Sequence, residues 1–201
     1  MSVTAGVIAV QGDVSEHAEA VVRAGERHGL AVEIHTIRKR GTVPECDVLL
    51  IPGGESTTIS RLVHREGIAE EIAAHVSAGR PVLATCAGLI LLSRDSGDDR
   101  VETLGLLDVT VERNAFGRQR DSFEASLSVT GLDDPFPAVF IRAPAIASVG
   151  DDVETLATWD DRPVAVRQQN IVGTAFHPEL YPDTRLHDLA LFEPLNRAET
   201  A

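Results

Sequence analysis

Short apolar runs alternate with segments of helical periodicity through the first half of the chain. The runs have the length and unbroken apolar character of buried strands, and most intervals between them repeat apolar residues every three to four positions. The predicted strands are 7–10, 32–37, 48–51 and 81–85, and the predicted helices are 13–29, 56–65, a further one ending at Gly79, and 87–93. This alternation predicts a parallel sheet with helices on both of its faces.

The second half of the chain changes to short runs rich in Val, Thr and Phe, separated by turn sequences such as Gly131-Leu132-Asp133-Asp134-Pro135. These runs are 104–112, 122–129, 138–142, 145–149, 154–159, 163–168 and 171–176, and a last helix is predicted at about 183–197. No repeat or linker divides the chain. We therefore predict one α/β domain over residues 1–201, with a mixed, mostly parallel central sheet and antiparallel additions.

The charge balance narrows the classes of partner. Asp and Glu total 31 against 18 Lys and Arg, which gives a net charge of −13, and Lys39 is the sole lysine. A nucleic-acid-binding protein needs a basic stripe, and an anionic membrane surface attracts basic segments, so we predict neither partner. The acid excess with so little lysine indicates adaptation to high salt. An ordinary acidic enzyme is the alternative.

The cellular compartment is predicted from what the sequence lacks. Its two cysteines do not form a disulfide framework, the N-terminal segment has no basic region of a signal peptide, and no apolar stretch approaches the length of a membrane span. We therefore expect a cytoplasmic protein.

Cys86 directly follows a predicted strand, and Ala84 and Gly88, two positions before and after it, are small. This pattern is typical of a nucleophile elbow, in which a sharp turn between strand and helix lifts the nucleophile out of the sheet. The helix beginning after Cys86 points free N–H groups at the sulfur, where they can stabilise an oxyanion. A buried structural cysteine is the alternative, and it is the role we expect for Cys46.

His177 follows the run 171–176, which puts its imidazole at the carboxyl end of a strand, where α/β proteins build their sites. Glu179 lies two residues on, and Pro178 stiffens the connection. A carboxylate at this distance can bond the far imidazole nitrogen and fix its tautomer. The six other histidines fall within helical or strand patterns. We predict that His177 is the base for Cys86 and that Glu179 orients it.

Gly53 and Gly54 follow a buried strand and precede Glu55 and Ser56. Two glycines allow positive φ and expose backbone N–H groups, which favours an oxyanion loop beside Cys86. A plain turn into a helix capped by Ser56 is the alternative. The segment matches neither a P-loop nor a dinucleotide fingerprint, and no metal-ligand spacing is present. No cofactor and no metal are therefore predicted.

Two arginines lie beside apolar strands, Arg113 in the segment 112–119 and Arg142 in the segment 140–144. A guanidinium held next to a rigid strand is a fork that suits a carboxylate. Ordinary surface solvation is the alternative for each of them.

Taken together, these motifs resemble the glutaminase subunit of pyridoxal 5′-phosphate synthase, a class I (triad) glutamine amidotransferase. The matching segments are GVIAVQG at 6–12 with Glu16-His17, PGGESTT at 52–58, TCAG at 85–88, VERNAFGRQ at 111–119, SFE at 122–124, FIRAP at 140–144 and HPEL at 177–180. The resemblance covers residues 6–192. Cys with His-x-Glu is shared by the whole class, whereas RNAFGRQ and FIRAP are more specific to this family.

The resemblance implies a single flavodoxin-like domain that hydrolyses L-glutamine to glutamate and ammonia. It implies that Cys86 forms a γ-glutamyl thioester, that His177 acts first as base and then as acid, and that Glu179 orients His177. The ammonia would pass to a partner synthase subunit, a (β/α)₈ barrel. That partner builds pyridoxal 5′-phosphate from ribose 5-phosphate or ribulose 5-phosphate and glyceraldehyde 3-phosphate.

The family's binding residues carry over onto this chain position by position. Those for glutamine are Gly54, Glu55, Ser56, Arg113, Ile141 and Arg142, and those for the oxyanion are Gly53, Gly54 and Ala87. The chain departs from the family at Ala84, where the elbow usually has glycine, and at Tyr181-Pro182-Asp183.

Other functions remain possible at this point. The chain could be a glutaminase serving a different synthase, although RNAFGRQ argues against that. It could be a silent regulatory subunit, although the intact Cys86, His177 and Glu179 argue against that. A cysteine peptidase on a similar fold is the remaining alternative.

Overall fold

The computed structural model describes residues 2–12, 14–112 and 122–199. The elements of the first half are β1 (Ser2–Ile8), α1 (Val14–Arg27), β2 (Ala31–Ile37), a 3₁₀ turn (Val43–Glu45), β3 (Val48–Ile51), α2 (Ser56–Arg65), α3 (Ala69–Ser77), β4 (Val82–Thr85) and α4 (Ala87–Leu92). The strand and helix alternation predicted from the sequence is confirmed here.

The second half supplies most of the strands. Its elements are β5 (Ser93–Asp95), β6 (Leu107–Glu112), β7 (Ser122–Leu127), β8 (Phe136–Ile141), β9 (Ala145–Val149), β10 (Glu154–Trp159), β11 (Arg162–Gln168), β12 (Ile171–Thr174), a 3₁₀ turn (Pro178–Leu180), α5 (Arg185–His187), a π-helical turn (Asp188–Phe192) and α6 (Glu193–Glu199).

The central sheet has seven strands in the order β10-β11-β12-β4-β3-β1-β2. Strands β2, β1, β3, β4 and β12 pair in parallel, whereas β11 pairs antiparallel with both β12 and β10. Two small sheets, β5-β6-β9 and β7-β8, lie outside it. The predicted mixed, mostly parallel sheet with antiparallel additions is confirmed.

Strands β3, β4 and β12 are buried along their whole length, which explains why their sequences are unbroken apolar runs. Helix α1 packs on β1 and β2 and also contacts the C-terminal helical segment, while α2 packs on α4. The carboxyl ends of β3, β4 and β12 meet at one edge of the sheet, because all three run in the same direction. That edge is where the sequence predicts the site.

The last helix predicted at about 183–197 is present as an uninterrupted helical run over 185–199, but a π-helical turn lies inside it. The structure divides this segment into α5, a π-helical turn and α6. Pro194 supplies the physical reason, because it has no N–H to donate to the carbonyl of Ala190 four residues earlier. A widened turn directly before a proline is a common way to accommodate that loss.

Two smaller predictions also change. The short strand β5 was not predicted, since three residues carry too little pattern to be read. Ser56 does not cap α2: the N-cap residue is Glu55, whose carboxylate accepts hydrogen bonds from the backbone N–H groups of Thr57 and Thr58. The carboxylate thus caps the helix as a serine hydroxyl would, and its negative charge also interacts favourably with the helix dipole.

Candidate active site

Cys86 lies in the turn between β4 and α4, with φ of 50° and ψ of −106°. Residues with a side chain rarely adopt this conformation, and strained backbone of this kind concentrates at functional positions. Its N–H donates to the carbonyl of Thr174 at the end of β12, at 2.7 Å. A Cβ on Gly88 would lie 2.0 Å from the carbonyl oxygen of Ile51, so only glycine allows α4 to start so close to β3. The geometry is that of the predicted elbow.

Ala84, where the family usually has glycine, is fully buried in β4. It pairs with Gly173 of β12 on one side and with Ile51 of β3 on the other. Because paired residues of parallel strands project to the same face, the neighbour on the β12 side has no side chain to collide with the methyl group. The alanine at this position is thus compatible with the elbow, which forms with its methyl group buried in the sheet.

His177 is buried, and its backbone N–H donates to the carbonyl of Val139 in β8, at 2.8 Å. Its ring Nδ1 lies 2.6 Å from Oε1 of Glu179, across the 3₁₀ turn that begins at Pro178. Burial lowers the pKa of His177, but hydrogen bonds with Cys86 and Glu179 and the charges of both outweigh burial and raise it to about 10. The imidazole thus stands beside the Cys86 side chain and is hydrogen-bonded to a carboxylate through Nδ1.

Glu179 is also buried, and its carboxylate contacts two histidines. Besides His177, Nε2 of His17 lies 3.2 Å from Oε1 of Glu179. Burial alone would raise the pKa of Glu179, but its electrostatic interactions with His17 and His177 hold it well below its usual range. Glu179 is therefore ionised at neutral pH.

Gly53, at the end of β3, stands next to both reacting side chains. A Cβ at this position would lie 2.6 Å from Cε1 of His177 and 3.3 Å from Cβ of Cys86. Any larger residue would push these two side chains apart. Gly53 therefore lets the thiol and the imidazole approach each other, beside its predicted role in the oxyanion loop.

A cavity of about 320 Å³ opens in front of Cys86 and His177. Six further predicted residues line it: Gly54, Glu55, Ser56, Ala87, Ile141 and Arg142. The structure thus brings the predicted residues of three separate segments together at one cavity. Arg113, the other predicted glutamine-binding residue, lies outside the described residues, so its place in the site stays a prediction.

Three lining residues were not predicted: Gln11, Ile90 and Pro144. Oε1 of Gln11 accepts a hydrogen bond from the backbone N–H of Glu55 at 2.8 Å, and a Cβ on Gly54, whose φ is +146°, would lie 2.4 Å from the same oxygen. Gln11 therefore holds the Gly54–Glu55 loop from the end of β1. Its position in the segment 6–12, just after a strand, was the available signal.

The loop after β8 supplies Arg142, which has a positive φ of 42° and is exposed at the cavity. Ile141 beside it is 37% exposed, as is Leu180 beyond the His177 turn. Arg142 and the exposed Ile141 thus place a cation and an apolar side chain next to each other at the cavity.

The carboxylate of Glu55 does not point freely into the cavity, because it caps α2. The hydrogen bonds from Thr57 and Thr58 outweigh partial burial and lower its pKa to about 2. Glu55 is therefore a fixed negative charge at the rim of the site.

Cys46, the other cysteine, is fully buried and its thiol donates to the carbonyl oxygen of Thr42, at 3.4 Å. Burial and the nearby Asp47 and Glu45 raise its pKa to about 11. Cys46 is therefore a structural residue, as the sequence predicted.

Within residues 2–12, 14–112 and 122–199, no three His, Cys, Asp or Glu side chains are grouped so that they could hold a metal ion. Across the same described stretches, none of the helices combines the length and apolar character that crossing a bilayer requires.

Comparison with known proteins identifies the family. Residues 7–193 match the SNO glutamine amidotransferase family. The chain belongs to the SNO glutamine amidotransferase family. Among its curated relatives, pyridoxal 5′-phosphate synthase subunit PdxT of Haloarcula marismortui is 69% identical over 96% of this chain and 98% of that protein. The PdxT proteins of Haloquadratum walsbyi and Methanocella arvoryzae are 68% and 56% identical, over 96% and 90% of this chain and 95% and 92% of theirs.

Solved structures agree with the membership in the SNO family. A crystal structure titled as a glutamine amidotransferase is 44% identical, with a TM-score of 0.84 over 92% of this chain and 95% of that one. The PurLQS structure from Thermotoga maritima is 17% identical with a TM-score of 0.60, covering 88% of this chain and 87% of that one. The second likeness shows the shared fold alone.

Proposed function

We propose that the chain hydrolyses L-glutamine to glutamate and ammonia by nucleophilic catalysis at Cys86. The observation that carries the proposal is that His177, hydrogen-bonded to Glu179, stands beside Cys86 at the wall of a cavity of about 320 Å³. That volume is at the lower end of the range for ligand pockets, which suits a single amino acid. The family to which the chain belongs acts on glutamine.

In the first half of the reaction, the Cys86 sulfur attacks the γ-carboxamide carbon of glutamine, and the carbonyl oxygen becomes an oxyanion. The first N–H of α4, at Ala87, has no partner within its helix and can donate to that oxyanion, together with the backbone of Gly53 and Gly54. The His177 imidazolium then gives its proton to the leaving nitrogen. Ammonia departs, and a γ-glutamyl thioester remains on Cys86.

In the second half, the now neutral His177 takes a proton from water, and the resulting hydroxide adds to the thioester carbon. The carbon–sulfur bond breaks, glutamate leaves, and Cys86 and His177 return to their starting charges. Glu179 stays ionised throughout, because its role is to hold the imidazole by Nδ1 and to stabilise its positive charge.

Recognition of glutamine as an amino acid needs a cation for its carboxylate. Arg142 at the mouth of the cavity meets that need, and we assign the same role to Arg113. The Gly54–Ser56 segment lines the cavity on the α2 side, and Ile141 offers an apolar contact to the methylene groups.

We also propose that the ammonia goes to a pyridoxal 5′-phosphate synthase barrel subunit in the cytoplasm. Curated relatives with up to 69% identity carry the name of a subunit of that synthase. Ile141, which lines the cavity, is exposed, and so are Leu180 and Tyr181 in the turn after His177; exposed apolar side chains of this kind suit contact with a protein partner.

The deciding experiment measures glutamate release from glutamine by the wild-type chain, with and without the cognate synthase subunit, in molar KCl. We expect Cys86→Ala to abolish release and Cys46→Ala to retain it, because Cys46 is buried away from the cavity. Release that persists in Cys86→Ala would exclude the mechanism. If the synthase subunit neither binds the chain nor stimulates glutamate release, the proposed partner is excluded while the glutaminase activity stands.

A further inference from the structure

The imidazole of His17 is buried behind the three residues of the proposed reaction. His17 lies in α1 and is 0% exposed, and it does not line the cavity. Its Nε2 lies 3.2 Å from Oε1 of Glu179 and 3.2 Å from the hydroxyl oxygen of Thr85, the residue before Cys86. One ring nitrogen thus joins α1 both to the strand that carries the nucleophile and to the turn that carries the orienting carboxylate.

The carboxylate of Glu179 depends strongly on this contact. Its Oε1 accepts from His177 and lies 3.2 Å from Nε2 of His17, while its Oε2 has no hydrogen-bond partner among the described residues. A buried ionised carboxylate is stable only when donors compensate for the lost water. Without His17, the charge of Glu179 would be poorly compensated, and its carboxylate would be free to rotate about the side-chain torsions.

We infer that His17 is a positioning residue for the proposed glutaminase: it donates its Nε2–H to Glu179 and thereby fixes the carboxylate that orients His177. The inference rests on the proposed function for the reaction that it assists. Since Nε2 carries the proton, the hydroxyl oxygen of Thr85 can share the same N–H, which ties the position of Glu179 to the end of β4 next to Cys86.

The neighbouring charged and titratable groups do not provide a substitute. His187 is fully buried beside the pair, but neither of its ring nitrogens has a hydrogen-bond partner among the described residues, and burial lowers its pKa to about 3. Its charge interactions also involve Arg23 and Asp183. Glu16 interacts with Glu179 only as a like charge. His17 and His177 are thus the groups that hold this carboxylate.

The test compares His17→Leu, His17→Gln and His17→Asn in the complex with the synthase subunit, with kcat and KM for glutamine measured separately. We expect His17→Leu to lower kcat by about tenfold to a hundredfold, as for other residues that hold a reacting group's partner. KM should stay within twofold, because His17 does not touch the cavity. A glutamine amide nitrogen reaches the place of Nε2, so His17→Gln should recover most of kcat. The shorter asparagine should not.

His75→Leu is the matched control. His75 is also buried, 3% exposed, and its Nε2 bonds a backbone carbonyl, that of Pro81, far from Glu179. We expect His75→Leu to reduce the free energy of unfolding as much as His17→Leu does, while leaving kcat unchanged. Equal loss of kcat in both variants, or no rescue by glutamine, would overturn the positioning role.

A second readout separates this inference from the proposed function. Iodoacetamide alkylation of Cys86, located by peptide mass spectrometry, reports the thiol–imidazole pair without glutamine turnover. We expect His17→Leu to slow alkylation at pH 7 by about the same factor as kcat. If wild type fails to hydrolyse glutamine but the alkylation rates still differ, the proposed function fails and the positioning role survives. Equal alkylation rates would overturn the positioning role even if wild type is an active glutaminase.

Discussion

At the scale of single residues, the elbow around Cys86 is held open by what its neighbours lack. Gly88 has no Cβ to strike the carbonyl of Ile51, and Gly53 has none to strike the His177 ring. The positive φ of Cys86 is maintained by the strands on either side of it. The lack of a Cβ at Gly53 and Gly88 is therefore as necessary for the site as the side chains of Cys86 and His177.

Gly88→Ala should therefore be among the most damaging small substitutions in the chain. The new methyl group would lie 2.0 Å from the Ile51 carbonyl oxygen, so α4 must shift away from β3. We expect a loss of about 1–3 kcal/mol in the free energy of unfolding and a glutaminase rate lowered more than tenfold. Denaturant unfolding and a glutamate-release assay measure the two effects.

Ala84→Gly is the matched control on the other side of the elbow, since it restores the residue that the family usually has. We expect activity within twofold of wild type, with unfolding free energy lower by about 0.5–1 kcal/mol from the added backbone entropy. An Ala84→Gly variant with greatly raised activity would mean that the methyl group strains the elbow after all.

The negative charge of Glu179 raises the pKa of His177 and so extends the pH range over which the imidazole keeps its proton. The hydrogen bonds and charges of Cys86 and Glu179 raise the pKa of His177 to about 10, so wild-type activity should fall as the imidazolium loses its proton near that pH. Glu179→Gln keeps the size but removes the negative charge, which makes the proton easier to lose. We expect the alkaline limb of kcat/KM to move down by about one to three pH units.

Glu16→Gln is the comparison for that profile. Glu16 is a carboxylate on α1 that interacts with Glu179 only through its charge, and its own hydrogen bonds are to Ser15 and its own backbone. Its removal should leave the alkaline limb in place. An unmoved limb in Glu179→Gln would show that another group controls the alkaline loss of activity.

At the scale of elements, strands buried on both faces were predictable, whereas β5 and the π-helical turn were not. Strands β3 and β4 have only four residues each, but all of them are buried and all except Thr85 are apolar, and the fold class follows from their alternation with helices. Strand β5 depends on tertiary pairing, and the π-helical turn depends on Pro194, which the helical periodicity of 183–197 does not reveal.

The residues of the site also fall into those that the sequence alone could predict and those that it could not. Cys86, His177 and Glu179 carry local patterns, since an elbow needs small neighbours and an orienting carboxylate can follow its histidine closely. Gln11 and His17 lie in segments that resemble the family, but their roles depend on contacts with residues far along the chain, Glu55 and Glu179. Three-dimensional proximity was needed to find them.

The start of the C-terminal helical segment is anchored by Arg185. Its guanidinium forms several hydrogen bonds to the Asp183 carboxylate and also donates to the carbonyls of Asp134 and Pro135. Lysine keeps the charge but cannot make this fork. We expect Arg185→Lys to lower the free energy of unfolding by about 1–2 kcal/mol, measured by denaturant titration.

Arg65→Lys provides the contrast, because the Arg65 side chain is 64% exposed and, among the residues that the structure describes, forms its ion pair with the adjacent Glu66 alone. We expect a change below about 0.5 kcal/mol for this surface pair. Equal effects of the two substitutions would mean that Arg185 does not anchor the segment.

At the scale of the whole molecule, 31 acidic residues against 18 basic ones leave a strong self-repulsion. Cations screen that repulsion over about 8–10 Å at moderate salt and over still less at molar salt. Curated relatives from Haloarcula, Haloquadratum and Halobacterium match 96% of the chain. Both observations favour the salt adaptation predicted from the composition.

Thermal unfolding in increasing KCl checks this. We expect the midpoint to rise steeply between dilute buffer and about 2 M KCl, because added cations screen the net charge. Sucrose is the control, since it favours compact states by exclusion without screening charge. A midpoint that is already maximal in dilute buffer would contradict the salt adaptation.

The place of β12 in the sheet has a consequence for synthesis of the protein. Strand β4 carries Cys86 and must pair with β12, which leads to His177 and is made much later. A nascent chain that has reached residue 112 already displays the thiol on a strand with an open edge and no base beside it. Glutaminase activity should consequently arise in one step, when β12 pairs with β4 and places His177 beside Cys86. Until then the exposed edge of β4 invites pairing with other chains, so ribosome-bound intermediates are the species that most need a chaperone.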